Sequence, residues 1–417
     1  MAIVASGLPH PEQVLPQRAS PSGALAKLLA DAALREPDRP AFRDQPGRAE
    51  WSGRPSLELS CVTAGEAVRR LSMCLLGLGV EPGARVGICL PNSTEAALSI
   101  LAVEDAGLTP CLLVATASAG ELSRAIEAAD VRIILTQTHL GPDRLAEKLC
   151  FVAAGFFRLR FMLAFGPDVP DGVIDLDPIL LKPPSGPAHG LEPGQERSGG
   201  LITFAPGPEG PCPVLRSSGS LMAAAGSVLG AARIREGDRV LSYLPPDDLR
   251  GLATGLVAAL IAGATFEAHA VFRSETLAES LAGSTPTHLI VPAWVETCLD
   301  EGGLGRGLKS LVLVHEAPVR FGARPTLPVR VVDVLGFGEQ ALLANARQIP
   351  GHQAFEAGTE HSAEASPLLE LRLNDADEIC FRGPAAAVQG PGIGDDAEWR
   401  PSGFRVVRTG TVVTGIA

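Results

Sequence analysis

Apolar positions along the chain follow two alternating rhythms. Val68, Leu71, Leu75 and Leu78 stand at helical spacing behind Thr63-Ala-Gly-Glu66, a capping-box pattern, and the run stops at Gly79. Glu81-Pro82-Gly83 predicts a turn, residues 85–90 a buried strand closed by Pro91, and Asn92 or Ser93 the cap of a second helix reaching Gly107. Residues 108–115 read as another strand, Ser118-Ala-Gly-Glu121 as another capping box, and 131–136 as a third strand. Strands alternating with helices through short connections predict an α/β fold, a largely parallel sheet covered by helices.

The pattern returns. Val80-Glu-Pro-Gly83-Ala-Arg85-Val86, with Leu90-Pro91 behind it, is matched by Ile234-Arg-Glu-Gly237-Asp-Arg239-Val240, with Leu244-Pro245 behind it. Each precedes an Ala/Leu-rich helix ending at a glycine, Gly107 or Gly263. So long a period predicts two similar α/β subdomains rather than a solenoid. Stretches dense in Pro, Gly and polar residues, 183–200 and 349–366, read as breaks. Beyond the second, 369–381 and 404–413 read as antiparallel strands without room for helices. The expected organisation is a first α/β subdomain over 1–200, a second over 201–348, and a small C-terminal β-rich subdomain over 349–417.

Composition narrows the class. The hydrophobic share of 46% supports packed cores, and 47 Asp+Glu against 35 Lys+Arg argues against a nucleic-acid partner. Only four of the basic residues are lysines: Lys27, Lys148, Lys182 and Lys309. The eight cysteines form no C-x-x-C and mostly sit in apolar runs, which reads as buried free thiols in a cytoplasmic protein. No signal peptide is read, and the apolar stretch 251–266 is short for a membrane span and fits a core helix.

The order of several fragments resembles the adenylate-forming (AMP-binding) superfamily, which includes acyl-CoA synthetases. They are Arg35-Glu-Pro-Asp-Arg-Pro-Ala-Phe42, Leu90-Pro-Asn-Ser93, Pro286-Thr-His-Leu-Ile-Val-Pro292, Glu316-Ala-Pro318, Leu335-Gly-Phe-Gly-Glu339 and Glu378-Ile-Cys-Phe-Arg-Gly-Pro384. The resemblance implies Mg-ATP as cofactor, an acyl-adenylate formed from a carboxylic acid, and a thiol such as coenzyme A as acceptor. It implies a large domain of three subdomains, with the chain ending where the hinge to a small, mobile lid domain would begin. On that expectation the lid is absent or supplied by a separate protein partner.

The motifs depart from the pattern where the chemistry is densest. The family's phosphate loop, roughly T-S-G-T-T-G-x-P-K-G, uses glycines, hydroxyls and a lysine to cradle phosphate. Here Phe204-Ala-Pro-Gly-Pro-Glu-Gly-Pro-Cys-Pro213 keeps Gly207 and Gly210, but prolines and Glu209 replace the hydroxyls and Pro213 stands at the lysine's place. The segment reads as a degenerate nucleotide loop or a rigid surface loop, with Arg216 a substitute cation. Glu316, Ala317, Pro318 and Gly336 fall at the family's nucleotide contacts. Glu339 falls at its magnesium-binding glutamate, or is a helix N-terminal glutamate favoured by the dipole. Thr411 replaces the ribose-binding aspartate. Asp248 replaces a histidine near the acyl pocket, or is part of a polar turn.

With both expected lysines and the aspartate missing, no catalytic residue is assigned. Three readings follow: an impaired member that binds a ligand or partner, an active carboxylate–AMP ligase completed by a partner, or a scaffold. Competing motifs fail. Gly302-Gly-Leu-Gly-Arg-Gly307 lacks dinucleotide spacing, His315-Glu316 lacks a second histidine before Pro318 breaks the helix, and no G-x-S-x-G occurs.

Overall fold

The computed structural model describes residues 2–4, 24–181, 200–299, 305, 307–348, 368–386, 399–410 and 412–417. The two expected breaks and most of the 302–307 glycine run lie largely outside the described residues. The chain forms an α/β molecule with two sheets of mainly parallel strands and a third, antiparallel sheet. In the first, the parallel strands Arg85–Cys89, Thr109–Leu112, Ile133–Gln137 and Phe161–Phe165 form the centre, and Leu201–Gly207 and Gly210–Arg216 form one edge. The second has Arg239–Ser242 flanked in parallel by Thr265–Ala268 and Thr287–Pro292, continuing through Leu308–Glu316 to Arg330–Phe337. The third pairs Glu370–Leu373, Glu378–Arg382, Arg400–Thr409 and Val412–Ile416, joined at its far edge by Ala2–Val4.

The internal repeat is structural. Gly83 and Gly237 adopt φ of +75° and +79°, and Gly107 and Gly263 +68° and +69°, a region open to a residue without Cβ. Gly83 N–H donates to Gly107 O at 3.0 Å, and Gly237 N–H to Gly263 O at 3.2 Å, so each turn is pinned to the end of its own helix.

Several local expectations are corrected. The helix Cys61–Gly77 is capped by Ser60, whose hydroxyl accepts from Thr63 N–H, so Thr63 lies inside the first turn and is not the cap. Ser93 caps Thr94–Asp105, while Asn92 donates its side-chain amide to Ser242 O at 2.7 Å and His269 O at 3.2 Å, bridging the two α/β sheets. The strand expected over 108–115 contracts to Thr109–Leu112. Ser118 does form the reciprocal box with Glu121. All eight cysteines are unpaired, but Cys298 is exposed and Cys74, Cys150 and Cys212 are half-buried. The apolar 251–266 stretch forms core helix and then the strand Thr265–Ala268; among the described residues no helix is long and apolar enough to cross a membrane.

A buried ionic cluster joins the layers. Arg48, with no exposed surface, binds Asp44 and, at 2.7 Å, Glu95; Arg54 binds Glu95 at 2.9 Å and also Asp177. Asp44 accepts from Thr94 N–H at 2.8 Å at the start of the helix that carries Glu95. Asp44 ends a strand of the second sheet, so the cluster ties that sheet to a helix covering the first.

Candidate active site

The segment at the phosphate-loop position is no surface loop. Leu201–Gly207 and Gly210–Arg216 form a β-hairpin in unbroken register from Gly207↔Gly210 to Leu201↔Arg216, closed by the two residues Pro208 and Glu209. The sequence reading missed it because three prolines argue against a ladder. An edge hairpin tolerates them where the missing N–H faces away from the partner strand. Strand alternation then sorts its side chains. Thr203, Ala205 and Gly207 share one face with Val214, Cys212 and Gly210, and Pro213 falls on the opposite one.

The first face looks into a cavity of about 500 Å³ between the hairpin, the turn after Arg330–Phe337, and the antiparallel sheet. Gly207 lines it and packs so closely on Cys212 that an added Cβ would collide with the thiol sulfur. Gly210, at φ +130°, lies outside the lining and backs onto the Arg124 side chain. Glu316 and Ala317 line the cavity from the end of Leu308–Glu316. Glu316 is paired with Arg250 at 2.7 Å, and Ala317 N–H donates to Gly336 O at 2.9 Å. Pro318, exposed and following a cis peptide bond, and Gly336, packed against Arg250, do not line it. Thr411 lies outside the described residues.

Arg216 and Glu339 meet, though not as an open cation and an open carboxylate. Arg216 has no exposed surface. Its guanidinium donates to the Glu339 carbonyl and to Ser220 Oγ at 3.3 Å, and its Nε has no partner among the described residues. Burial lowers its pKa to about 10. Glu339 sits in a turn between antiparallel strands, so it opens no helix of its own, which corrects that reading. Its carboxylate accepts from Thr203 Oγ1 at 2.6 Å and from Leu249 N–H at 3.1 Å, the first residue of the helix capped by Asp248. A helix dipole does act on Glu339, but that of an element 90 residues earlier in the chain. Burial and the neighbouring Asp248 carboxylate push Glu339 up to about 7. Asp247 beside it is likewise pushed to about 7 by burial and Asp248.

These residues do not fit the implied magnesium ion. The Glu339 oxygens are already taken by Thr203 and Leu249 inside the protein, whereas Mg²⁺ needs a carboxylate open to an octahedral shell of waters and phosphate oxygens. Among the described residues no group of three or more His, Cys, Asp or Glu is placed to hold a metal. A triphosphate fits no better. The hairpin wall offers Ala205, Pro206, Gly207 and Pro208, with neither hydroxyl nor lysine.

The cavity also contains what sequence reasoning missed. Phe337, Phe381 and Phe404 form an aromatic floor, with ring centroids 5.0 Å and 6.0 Å from Phe337 to the other two. These phenylalanines come from two different sheets, so no local spacing signals them. Arg400, Gln340 and Ser402 complete the polar rim.

Known proteins share this fold. Residues 29–159 match the family model described as AMP-binding enzyme. The chain is 27% identical over 296 residues to the salicyl-AMP ligase / salicyl-S-ArCP synthetase of Mycobacterium tuberculosis, a match covering 66% of this chain and 48% of that protein. The chain thus spans about half the length of that relative. The anthranilate CoA ligase AuaEII in complex with anthranoyl-AMP superposes with TM-score 0.72 at 14% identity, over 96% of this chain and 78% of that one. The N-terminal domain of FACL13 from Mycobacterium tuberculosis superposes with TM-score 0.69 at 14% identity, over 94% and 99% respectively.

Proposed function

We propose that this chain, which belongs to the adenylate-forming, AMP-binding superfamily of acyl-CoA and aryl-AMP ligase-like proteins, is a ligand-binding member impaired in adenylation. The observation that carries the reading is the fate of Arg216 and Glu339. Arg216, the cation at the hairpin's base among the described residues, is fully buried under the Glu339 carbonyl, and the carboxylate at the magnesium position is bound to Thr203 and Leu249. Losing one preorganised cation or donor costs about 10²–10³ in rate. Here the phosphate-loop lysine and its hydroxyls are replaced together by Pro213, Pro206, Pro208 and Glu209. Such groups act as a unit, so the losses do not multiply freely, but one alone slows turnover severely.

An open cavity of about 500 Å³ favours ligand binding over a scaffold whose site is filled by side chains. Catalysis completed by a partner protein would still need a phosphate-facing cation from this chain at the hairpin, and Arg216 faces the protein interior.

The test is ATP–pyrophosphate exchange with a panel of carboxylic acids that includes salicylate, anthranilate and benzoate. The expected result is no exchange above the no-acid control. Exchange at a rate typical of an active ligase, about 1 s⁻¹ or faster, overturns the proposal.

A further inference from the structure

We infer that the cavity takes an uncharged, flat aryl ligand, seated on the phenylalanine floor at Phe404. This rests on the ligand-binding reading above and names the class of ligand.

Three observations carry it. First, the floor is preformed. Phe337 and Phe381 are almost completely buried and meet at 63°, and Phe337 and Phe404 meet at 66°. Edge-to-face packing fixes each ring, and Phe404, half-buried, is the ring of the three with surface left to meet a ligand. Second, the facing wall is apolar. Ala205 and Cys212 are directly opposed in the hairpin register, Val214 follows on the same face, and Pro206 and Pro208 add ring CH groups but no N–H.

Third, most polar groups of the rim are already engaged. Gln340 donates its amide to Ser402 O at 3.1 Å, Ser402 Oγ accepts from Phe404 N–H at 2.9 Å, and Glu316 is paired with Arg250. Glu339 is bound by Thr203 and Leu249. A ligand rich in hydrogen-bonding groups would lose its hydration without recovering it, which is costly.

The probe is 2-naphthamide, flat and neutral, with AMP and ATP as charged comparators and cyclohexanecarboxamide as a neutral ligand that is not flat. Calorimetry on the wild-type chain is expected to give a Kd in the micromolar range for 2-naphthamide, and binding at least about tenfold weaker for the other three. In parallel, N-ethylmaleimide labelling is read peptide by peptide. 2-Naphthamide is expected to slow labelling of Cys212, in the wall, and to leave the exposed Cys298 unchanged. Ala205→Trp, which fills the cavity beside Cys212, is expected to abolish binding with an unchanged melting temperature. Phe404→Ala is expected to weaken it about tenfold.

No heat and no Cys212 protection at millimolar probe would overturn the inference, as would equal or better protection by AMP. A Cys212 unreactive in the free protein while Cys298 is labelled would also sink it, because the cavity would then be closed. The wild-type labelling needs no variant, so misfolding of either variant does not blunt the test. Pyrophosphate exchange is read separately. Absent exchange with no naphthamide binding removes the ligand class alone, whereas robust exchange removes the impaired-enzyme reading on which it stands.

Discussion

Two arginines without exposed surface, Arg48 and Arg216, show how differently one fold treats the same group. Arg48 uses every nitrogen. Its two terminal nitrogens reach the Asp44 and Glu95 carboxylates, and Nε donates to Ser52 Oγ at 3.3 Å. Burial alone would lower its pKa, but the two carboxylates outweigh burial and hold the guanidinium above its ordinary range. The same balance keeps Glu95 below the usual carboxylate range despite full burial, because Arg48 and Arg54 face it. Among the described residues Arg216 has no carboxylate in contact, only a carbonyl and a hydroxyl, and burial wins. Its neighbour Glu339 rises where Glu95 falls. Asp44 is pushed up by burial and by Glu95, but where opposite charges face each other most closely, as Arg48 and Arg54 face Glu95, the buried ions persist and clamp the layers. Where they do not, charge is a liability, and the candidate site is the more neutral and apolar of the two regions.

The largest effect is expected at the clamp. Arg48→Met strands Asp44 and Glu95 in the interior, and removing one partner of a buried pair costs about 3–5 kcal/mol. Urea unfolding should show the midpoint falling accordingly. A loss below about 1 kcal/mol would mean the cluster is not the tie between layers that its geometry suggests.

Next in size is Gly207→Ala. Its Cβ would collide with Cys212 Sγ and lie 2.9 Å from Gly210 O, so the hairpin must open at its tip. Overpacking of this kind costs about 1–3 kcal/mol. Thermal melts should show the loss shrinking in a Cys212→Ala background, which removes the sulfur and leaves the carbonyl. Equal losses in both backgrounds would place the strain elsewhere.

Much of the fold was legible because it is written in local rules. The paired glycines Gly83/Gly107 and Gly237/Gly263 announce the repeated turn, and the 3.6- and 2-residue rhythms announce an α/β molecule before any contact is known. The site was half legible. The departures at Pro206, Pro208, Glu209 and Pro213 can be read directly, but their consequence cannot. Prolines spaced along a segment look like a loop, and only the register shows that they ride an edge hairpin. The direction in which Arg216 turns, the capture of Glu339 by Thr203 and Leu249, and the floor of Phe337, Phe381 and Phe404 are all long-range. They depend on elements brought together by three sheets, and no spacing encodes them.

Glu339→Gln separates the two regions by pH. Glu339 has a folded pKa of about 7, above its ordinary 4.5, so the folded state binds the proton more tightly than the unfolded chain does. The stability from that proton is fully present below pH about 4.5 and is lost as pH rises through about 7. The amide cannot ionise yet still accepts from Thr203 or Leu249. The variant should therefore match wild type near pH 4.5 and exceed it by about 3 kcal/mol at pH 8, in melting curves across that range. Asp247, also raised to about 7, leaves a residual slope of the same sign. Glu95→Gln should behave oppositely, because its ionised form is the stabilising one: the variant loses most at neutral pH, and the gap closes as pH falls through the lowered folded pKa. The same pH profile for both variants would dissolve the contrast.

The smallest effect, and the sharpest comparison, is Arg216→Met. A long apolar side chain keeps most of the packing while giving up hydrogen bonds to the Glu339 carbonyl and Ser220, each worth about 0.5–1.5 kcal/mol net and up to about 3 where the donor is charged. Against that loss stands the relief of a buried, underpaired guanidinium, so the two nearly cancel and the net change is expected within about 1 kcal/mol. Arg48→Met is the matched control: same substitution, same burial, opposite surroundings. If urea midpoints fall equally in both, pairing does not decide what a buried arginine contributes in this fold. If Arg216→Met is neutral for stability yet abolishes a measurable pyrophosphate exchange, Arg216 is a working cation after all, and the protein interior into which it points must open during turnover.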